Sequence, residues 1–244
     1  MIRLISYTQP AADFMHSLLE EAVAAFGEEY AEKYLDQTNS LDVLLAYVAR
    51  VSNPAGQKNH DTAPRLIQYL AKNKHWSPFE MVHVTFEIEC PRDISRQILR
   101  HRSFAFQEFS QRYQDVSALE ARFAPRECRL QDSKNRQNSL ACVDPSLEKD
   151  WEEAQARVFD LAQYEYKKAL SQGVAKEVAR AILPEGLTPT RLYMTGSLRS
   201  WIHFCQVRGD ASTQKETREI AEKVSALMSQ TFPVSWSVVK GGVI

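Results

Sequence analysis

The chain has 244 residues, 44% of them hydrophobic and 25% charged, with a formal net charge of -1. This length and apolar share suit one soluble domain with a sizeable core and exclude a disordered chain. The near-zero charge argues against a generally basic nucleic-acid surface, so any anion site has to be local.

In chain order, residues 2 to 7 read as a short strand, and MIRLISYTQP lacks the long apolar run of a signal peptide. Phe14, Leu18, Leu19, Ala22, Val23 and Phe26 recur at helical spacing across Asp13 to Phe26. A second helix runs from Leu41 to about Ser52 and stops at the turn signal Asn53-Pro54-Ala55-Gly56. A third begins near Asp61, takes Pro64 in its first turn and ends around Lys74. MVHVTFEIEC, residues 81 to 90, alternates strictly and predicts a strand, with Val82, Val84, Phe86 and Ile88 on one face and His83, Thr85, Glu87 and Glu89 on the other. Pro91 opens a helix striped by Ile94, Ile98 and Leu99, while Gln97 and Arg100 share another of its faces.

Residues 114 to 150 read as a long irregular connection, the loop itself lying near 114–145; Arg126 to Ser139 is either a cover over a substrate or a disordered surface loop. A long helix follows from Pro145 or Ser146 to about Gln172, stopped by Gly173, and a shorter one from Lys176 to Leu183, stopped by Pro184. RLYMTGSLRS is strand-like, SLRSWIHFCQVR turns helical at Leu198, Ile202 and Cys205, and Ser212 to about Phe232 forms a final helix. Without repeats, linkers or a membrane-length apolar run, a single cytoplasmic domain is the expectation.

The chemistry concentrates in RHRSFAFQEFSQRY, residues 100 to 113. Arg100, His101, Arg102 and Arg112 surround a single carboxylate, Glu108, and sit beside Phe104, Phe106, Phe109 and Tyr113. A charged helix end is the bland reading of the triplet alone. The aromatics change it, because guanidinium groups against a dry apolar wall are strong, directional receptors for phosphate or carboxylate. Ser110 has only His101 near it in sequence and no nucleophile elbow around it. Cys90, Cys128, Cys142 and Cys205 form no CxxC pair and no metal-ligand spacing, so no metal is implied and an external cofactor has to supply the reactive atoms. Two further segments carry cations: VARAILP with Arg180, and LRSWIHFCQVRGDASTQKE with Arg199 and His203 on one face and Arg208 at the helix end. An enzyme, an RNA or single-strand-binding module stacking bases on the aromatics, and a non-catalytic nucleotide-binding subunit all remain open on the residues alone.

The spacing RHR, seven residues, Ser, then x-Arg-Tyr resembles the signature of the flavin-dependent thymidylate synthases. ARVS at 49 to 52, HWSPFE at 75 to 80, ARAILP at 179 to 184 and LRSWIHFCQVR followed by TQKE resemble the same family in the same order. The resemblance implies an α+β fold, a small antiparallel or mixed sheet flanked by long helices, and a homotetramer whose active sites combine neighbouring subunits. It implies methylation of deoxyuridine monophosphate (dUMP) with methylenetetrahydrofolate as carbon donor and NADPH as reductant through FAD, without an enzyme nucleophile, and neither nucleic acid nor membrane as partner. By motif position, Gln97, Arg100, Glu108, Ser110, Gln111, Arg112 and Arg180 would contact the nucleotide, and Arg208 would hold the uracil edge as the catalytic residue. His75, Ser77, Arg100, His101, Arg102, Glu108, Ser197, Arg199 and His203 would line the flavin site. Ser197 and His203 stand where family members often have Asn, Gln107 replaces another frequent Asn, and Met81 stands where a His is common.

Overall fold

Strand β1 (Ile2–Tyr7) lies where the sequence places it, in a computed structural model that describes residues 1–29, 31, 40–53, 56, 62–116 and 125–240. Helices α1 (Ala12–Phe26), α2 (Ser40–Ala49) and α3 (Ala63–Lys72) follow. Gly27 ends α1 at φ 87°, a left-handed angle that glycine adopts without a Cβ penalty. Pro64 occupies the first turn of α3, where its missing N–H is no loss. The second helix stops earlier than its apolar pattern suggests, and Pro54, Ala55 and the Asp61 start of the third lie outside the described residues.

Strand β2 (His83–Pro91) leads directly into α4 (Arg92–Ile98) and then β3 (Phe104–Glu108). Val84, Phe86 and Ile88 are fully buried on one face of β2, as alternation requires. Glu87 on the other face is buried too, at 1% exposure. Tyr193 Oη donates to its carboxylate at 2.7 Å and Arg3 Nη2 at 3.2 Å, so cross-strand donors replace water. Within 114–150, where an irregular connection is predicted, β4 (Arg129–Gln131) and β5 (Ser139–Ala141) form an antiparallel hairpin. That removes the disordered-loop reading for most of Arg126 to Ser139; residues 117–124 lie outside the described set.

Helix α5 (Pro145–Ser171) begins where Asp144 accepts the N–H groups of Ser146 and Leu147, at 2.9 and 3.3 Å, and ends before Gly173 at φ 86°. The short α6 (Lys176–Ala179) passes into a 3-10 turn, Arg180–Ile182. Strand β6 (Pro189–Ser197), α7 (Leu198–Arg208) and α8 (Lys215–Thr231) match their patterns, while α9 (Pro233–Lys240) was not foreseen. The main sheet is antiparallel in the order β1-β2-β6-β3.

Chain packing divides the fold into two units: Met1–Arg3, Glu87–Met194 and Asp210–Ile220 form the first, and Leu4–Phe86, Thr195–Gly209 and Ala221–Ile244 the second. In the second, Trp201 anchors α7: its ring lies edge-on to Phe86 with centroids 4.9 Å apart, and its Nε1–H donates to the Val84 carbonyl at 3.0 Å. Truncating such a fully buried, satisfied indole costs about 3–5 kcal/mol. In the first, Tyr166, Val116, Ala179 and Leu183 form a buried cluster that fixes the Arg180 turn against α5.

Candidate active site

In the first unit, burial of Ile94 and Ile98 sets the inward face of α4, and Arg92 and Arg96, four residues apart, share a neighbouring face. Both reach Glu108 at the end of β3. Arg96 Nη1 donates to Oε2 at 3.3 Å and Arg92 Nη1 lies 3.8 Å from Oε1. Ser95 Oγ and Thr190 Oγ1 donate to Oε1 at 2.8 and 3.0 Å. Glu108 is therefore a fixed acceptor rather than a swinging side chain.

Gln97 is held as firmly. Its Nε2 donates to Gln214 Oε1 at 2.7 Å and its Oε1 accepts from Thr217 Oγ1 at 3.1 Å. Gln214 Nε2 donates in turn to Glu216 Oε2 at 2.9 Å, and Arg129 Nη2 to Glu216 Oε1 at 2.6 Å. Burial alone would raise the Glu216 carboxyl, but its own backbone N–H, Gln214 and Arg129 outweigh that and hold it below the usual carboxylate range.

Arg100, Arg102 and Arg112 are exposed; His101 is half-buried with its ring edge-on to Phe104, centroids 6.4 Å apart. Phe104, Phe106 and Phe109 are only half-buried and Tyr113 is 78% exposed, so the expected dry wall is absent from the single chain. The reason is position: β3 is an edge strand, and the arginines stand on the turns at its ends. Ser110 Oγ accepts the Arg112 N–H at 3.4 Å, and the Arg112 guanidinium meets Glu177 at 3.3 Å with both partners more than half exposed. An exposed pair of this kind contributes about 0–1 kcal/mol and exchanges readily for an anionic ligand.

Gln111 and Arg180 come together in a concavity of about 300 Å³, with Arg92, Arg96, Leu183 and Glu185 in its lining. Gln111 Nε2 and Arg92 Nη1 are buried there without a hydrogen-bond partner. Each such donor costs about 1–3 kcal/mol, so the pair marks a place prepared for an acceptor. A larger concavity of about 780 Å³ is lined by the β4–β5 hairpin, Trp151 and Lys215, and by none of the residues predicted from sequence. Three of its cations are paired with carboxylates, Arg126 with Asp93 at 2.5 Å, Arg129 with Glu216 at 2.6 Å and Lys215 with Glu127 at 2.6 Å, while Arg218 donates to backbone carbonyls and Arg136 also stands in the lining. In the smaller concavity Arg92 and Arg96 are also ion-paired, with Glu108 and Glu185, and what sets it apart is the pair of buried donors that lack a hydrogen-bond acceptor.

In the second unit, Ser77 opens the 3-10 turn Ser77–Glu80, and Glu80 accepts from Arg199 Nη1 at 2.8 Å and from the Ser197 hydroxyl. Burial would raise the Glu80 carboxyl, but the bonds from Ser197 and Arg199, with the Arg199 charge, hold it below its ordinary value. Ser197 also caps α7, accepting the Ser200 N–H at 3.3 Å, and is 4% exposed, so its hydroxyl is committed within the protein. The structure thus gathers Ser77, Ser197 and Arg199, with His203 one turn further along α7 and exposed. His75 is exposed two residues before Ser77, its ring 6.0 Å from that of Tyr69. Arg208 closes α7 nine residues beyond Arg199, about half a revolution round the helix, where the negative end of the helix dipole favours a cation.

Burial pushes the Cys90 thiol up to about 12 and raises Cys205 as well, which leaves both poor nucleophiles. Sequence reasoning missed Ser95, Thr190, Arg92 and Arg96. The i,i+4 spacing of Arg92 and Arg96 on the helix leading into the motif was a legible signal; Thr190, 82 positions from Glu108, offered none.

The profile of a family described as thymidylate synthase complementing protein matches residues 33–234. The chain is 50% identical over 190 residues, 78% of its own length and 85% of the relative's, to a flavin-dependent thymidylate synthase of Synechocystis sp.. It is 43% identical over 199 residues, 82% of its length and 90% of the relative's, to a probable flavin-dependent thymidylate synthase of Paramecium bursaria Chlorella virus 1. Its fold is similar to that of the UMP/dUMP methylase PolB from Streptomyces cacaoi bound with 5-Br dUMP, with a TM-score of 0.76 and 23% identity over 100% of this chain and 96% of that one.

Proposed function

Because the chain belongs to the flavin-dependent thymidylate synthase family, we propose that it methylates dUMP to thymidylate, with FAD as cofactor, methylenetetrahydrofolate as carbon donor and NADPH as reductant. One observation carries the nucleotide half of this reading: Gln111 Nε2 and Arg92 Nη1, buried donors without a hydrogen-bond acceptor, share a small concavity with Arg180. A phosphate oxygen accepted there removes two desolvation penalties at once.

From that anchor the chain's own groups have distinct tasks. Arg180 and Gln111 hold the phosphate, with Arg112 exchanging Glu177 for it and Ser110 adding a hydroxyl. Glu108, an acceptor fixed by Ser95 and Thr190, takes a hydroxyl or N–H of the ligand, and Gln97 and Arg100 line the same approach. Arg208 stabilises negative charge at the uracil edge and so favours loss of the N3 proton; a guanidinium suits this because it stays charged throughout. The exposed donors His75, Ser77, Arg199 and His203, together with Arg100, His101 and Arg102, fit an acceptor-rich dinucleotide such as FAD, while Ser197 serves it by holding Glu80 and the start of α7. FAD, when bound, supplies the hydride that completes the methyl group. The raised thiols of half-buried Cys90 and buried Cys205 agree with a reaction that needs no thiol nucleophile.

We read the working enzyme as a cytoplasmic homotetramer with shared active sites. The half-revolution between Arg199 and Arg208 supports sharing, since one helix then serves two directions. Anaerobic titration with NADPH, with and without dUMP, followed by thymidylate assay on adding methylenetetrahydrofolate, tests the whole reading. The yellow protein bleaches and makes thymidylate; colourless protein, or bleaching without methyl transfer, sinks it.

A further inference from the structure

The chain has four cysteines that the methylation reading does not use, and two of them, Cys128 and Cys142, flank the β4–β5 hairpin. In the β4–β5 ladder Arg129 lies opposite Ala141, Leu130 opposite Leu140 and Gln131 opposite Ser139. One step outward sets Cys128 opposite Cys142. Directly opposed residues of an antiparallel pair project from the same face with Cα atoms about 4.5 or 5.5 Å apart, and both spacings fall within the roughly 4.4–6.8 Å that a disulfide spans. The two thiols are hydrogen-bonded to each other, and Cys142 Sγ also donates to the Asp144 carbonyl at 3.7 Å. Both are partly exposed, whereas Cys205 is buried. We infer that Cys128 and Cys142 form a reversible thiol–disulfide exchange site that takes low-molecular-weight disulfides and, when oxidised, staples the base of the hairpin.

The exchange runs in two displacements. Cys142 donates its own proton to the Asp144 carbonyl and so accepts from Cys128, a bond that favours a thiolate at Cys142. Cys142 therefore attacks: its thiolate forms a bond to one sulfur of the small disulfide, whose S–S bond breaks, and a small thiol leaves. Cys128 then gives up its proton and displaces the second small thiol. Two protein thiols are oxidised to one disulfide while the reagent is reduced to two thiols. Burial, the bond to Cys142 and the charges of Cys142, Glu148 and Asp144 all raise the Cys128 thiol, so exchange speeds up as pH rises. The staple matters because β4 carries Arg129, the first member of the hydrogen-bonded run through Glu216 and Gln214 to Gln97.

The full-length protein, equilibrated across ratios of oxidised to reduced glutathione, is alkylated and mapped by mass spectrometry, and amide exchange is followed over residues 129–141. The site is supported by a peptide pair joined through Cys128 and Cys142, Cys90 and Cys205 recovered as thiols after unfolding, and amide exchange in β4 and β5 slowed by on the order of tenfold in the oxidised form. It is overturned by separate glutathione adducts on Cys128 and Cys142 at every ratio, by a bridge to Cys90 instead, or by a joined pair that leaves the hairpin's exchange unchanged. Cys128→Ser supplies the control: with the resolving thiol gone, glutathione remains attached at Cys142, and an unmodified Cys142 there counts against the order of attack and the site alike.

Discussion

Arg208 and Gln111 make opposite demands on the fold, and substitutions separate them. Arg208 ends a helix and packs no core, so Arg208→Ala is expected to leave the circular dichroism spectrum unchanged while methylation falls by on the order of a hundredfold or more, the loss typical of a group that stabilises developing charge. Near-native turnover in this variant removes its assigned role. Gln111 is buried with an unpartnered Nε2, so Gln111→Leu is expected to stabilise the ligand-free protein or leave it unchanged, while dUMP affinity drops about tenfold or more. Thermal denaturation and dUMP titration together check it: a large loss of stability means that Gln111 is a packed structural amide. At this scale the sequence was informative about which side chains matter and silent about how they are held. Glu108, Gln97 and Arg180 stand in motifs, but the Ser95 and Thr190 hydroxyls that orient Glu108 come from a helix and a strand whose meeting is a product of the sheet order.

Local pattern was enough for elements that stabilise themselves. Alternation announced β2, helical spacing announced α1, and Gly173 marked the real end of α5. It failed where the stabilising partner is remote. Helix α9 is capped from a distance: Asp42 accepts the N–H groups of Val234 and Ser235 at 3.3 and 3.1 Å, and the Ser235 hydroxyl, from 192 and 193 positions away. Asp42→Ala leaves those N–H groups unpaired in a buried site and is expected to lower stability by about 1–3 kcal/mol, with Asp42→Asn, which keeps an acceptor, losing less. A wild-type melting temperature in Asp42→Ala would mean that the cap contributes nothing. The hairpin was missed for a related reason: two three-residue strands in a polar stretch show no alternation to read. A third element, the Ser77–Glu80 turn, is tied to α7 by a carboxyl held below its ordinary value. Such a group adds stability that is present above its unfolded value of about 4.3 and disappears as pH falls through the lower folded value. In Arg199→Gln the bond and charge from Arg199 are gone, so the acid limb of the melting-temperature curve is expected to move to higher pH, while an unmoved limb dissociates Glu80 from that tie.

At the scale of the whole molecule, the predicted nucleotide and flavin residues are distributed over two packing units: Gln97, Glu108, Ser110, Gln111, Arg112 and Arg180 in the first, and His75, Ser77, Ser197, Arg199, His203 and Arg208 in the second. Motif order along a chain does not say whether such sets meet within one copy or between copies, so this question was never legible in one sequence. Helix geometry supplies the first physical argument: residues nine apart on α7 leave it on opposite sides, so Arg199 and Arg208 are suited to different neighbours. Co-expression of two inactive variants turns this into a measurement. If Arg180 and Arg208 of one site come from different subunits, random assembly of Arg180→Ala with Arg208→Ala chains yields about a quarter of the sites with both arginines intact, as symmetric closure of an oligomer requires. Each variant alone stays inactive and the mixture regains close to that fraction of wild-type thymidylate formation. If one subunit supplies both arginines, every site in the mixture lacks one of them and no activity returns, whatever the oligomeric state.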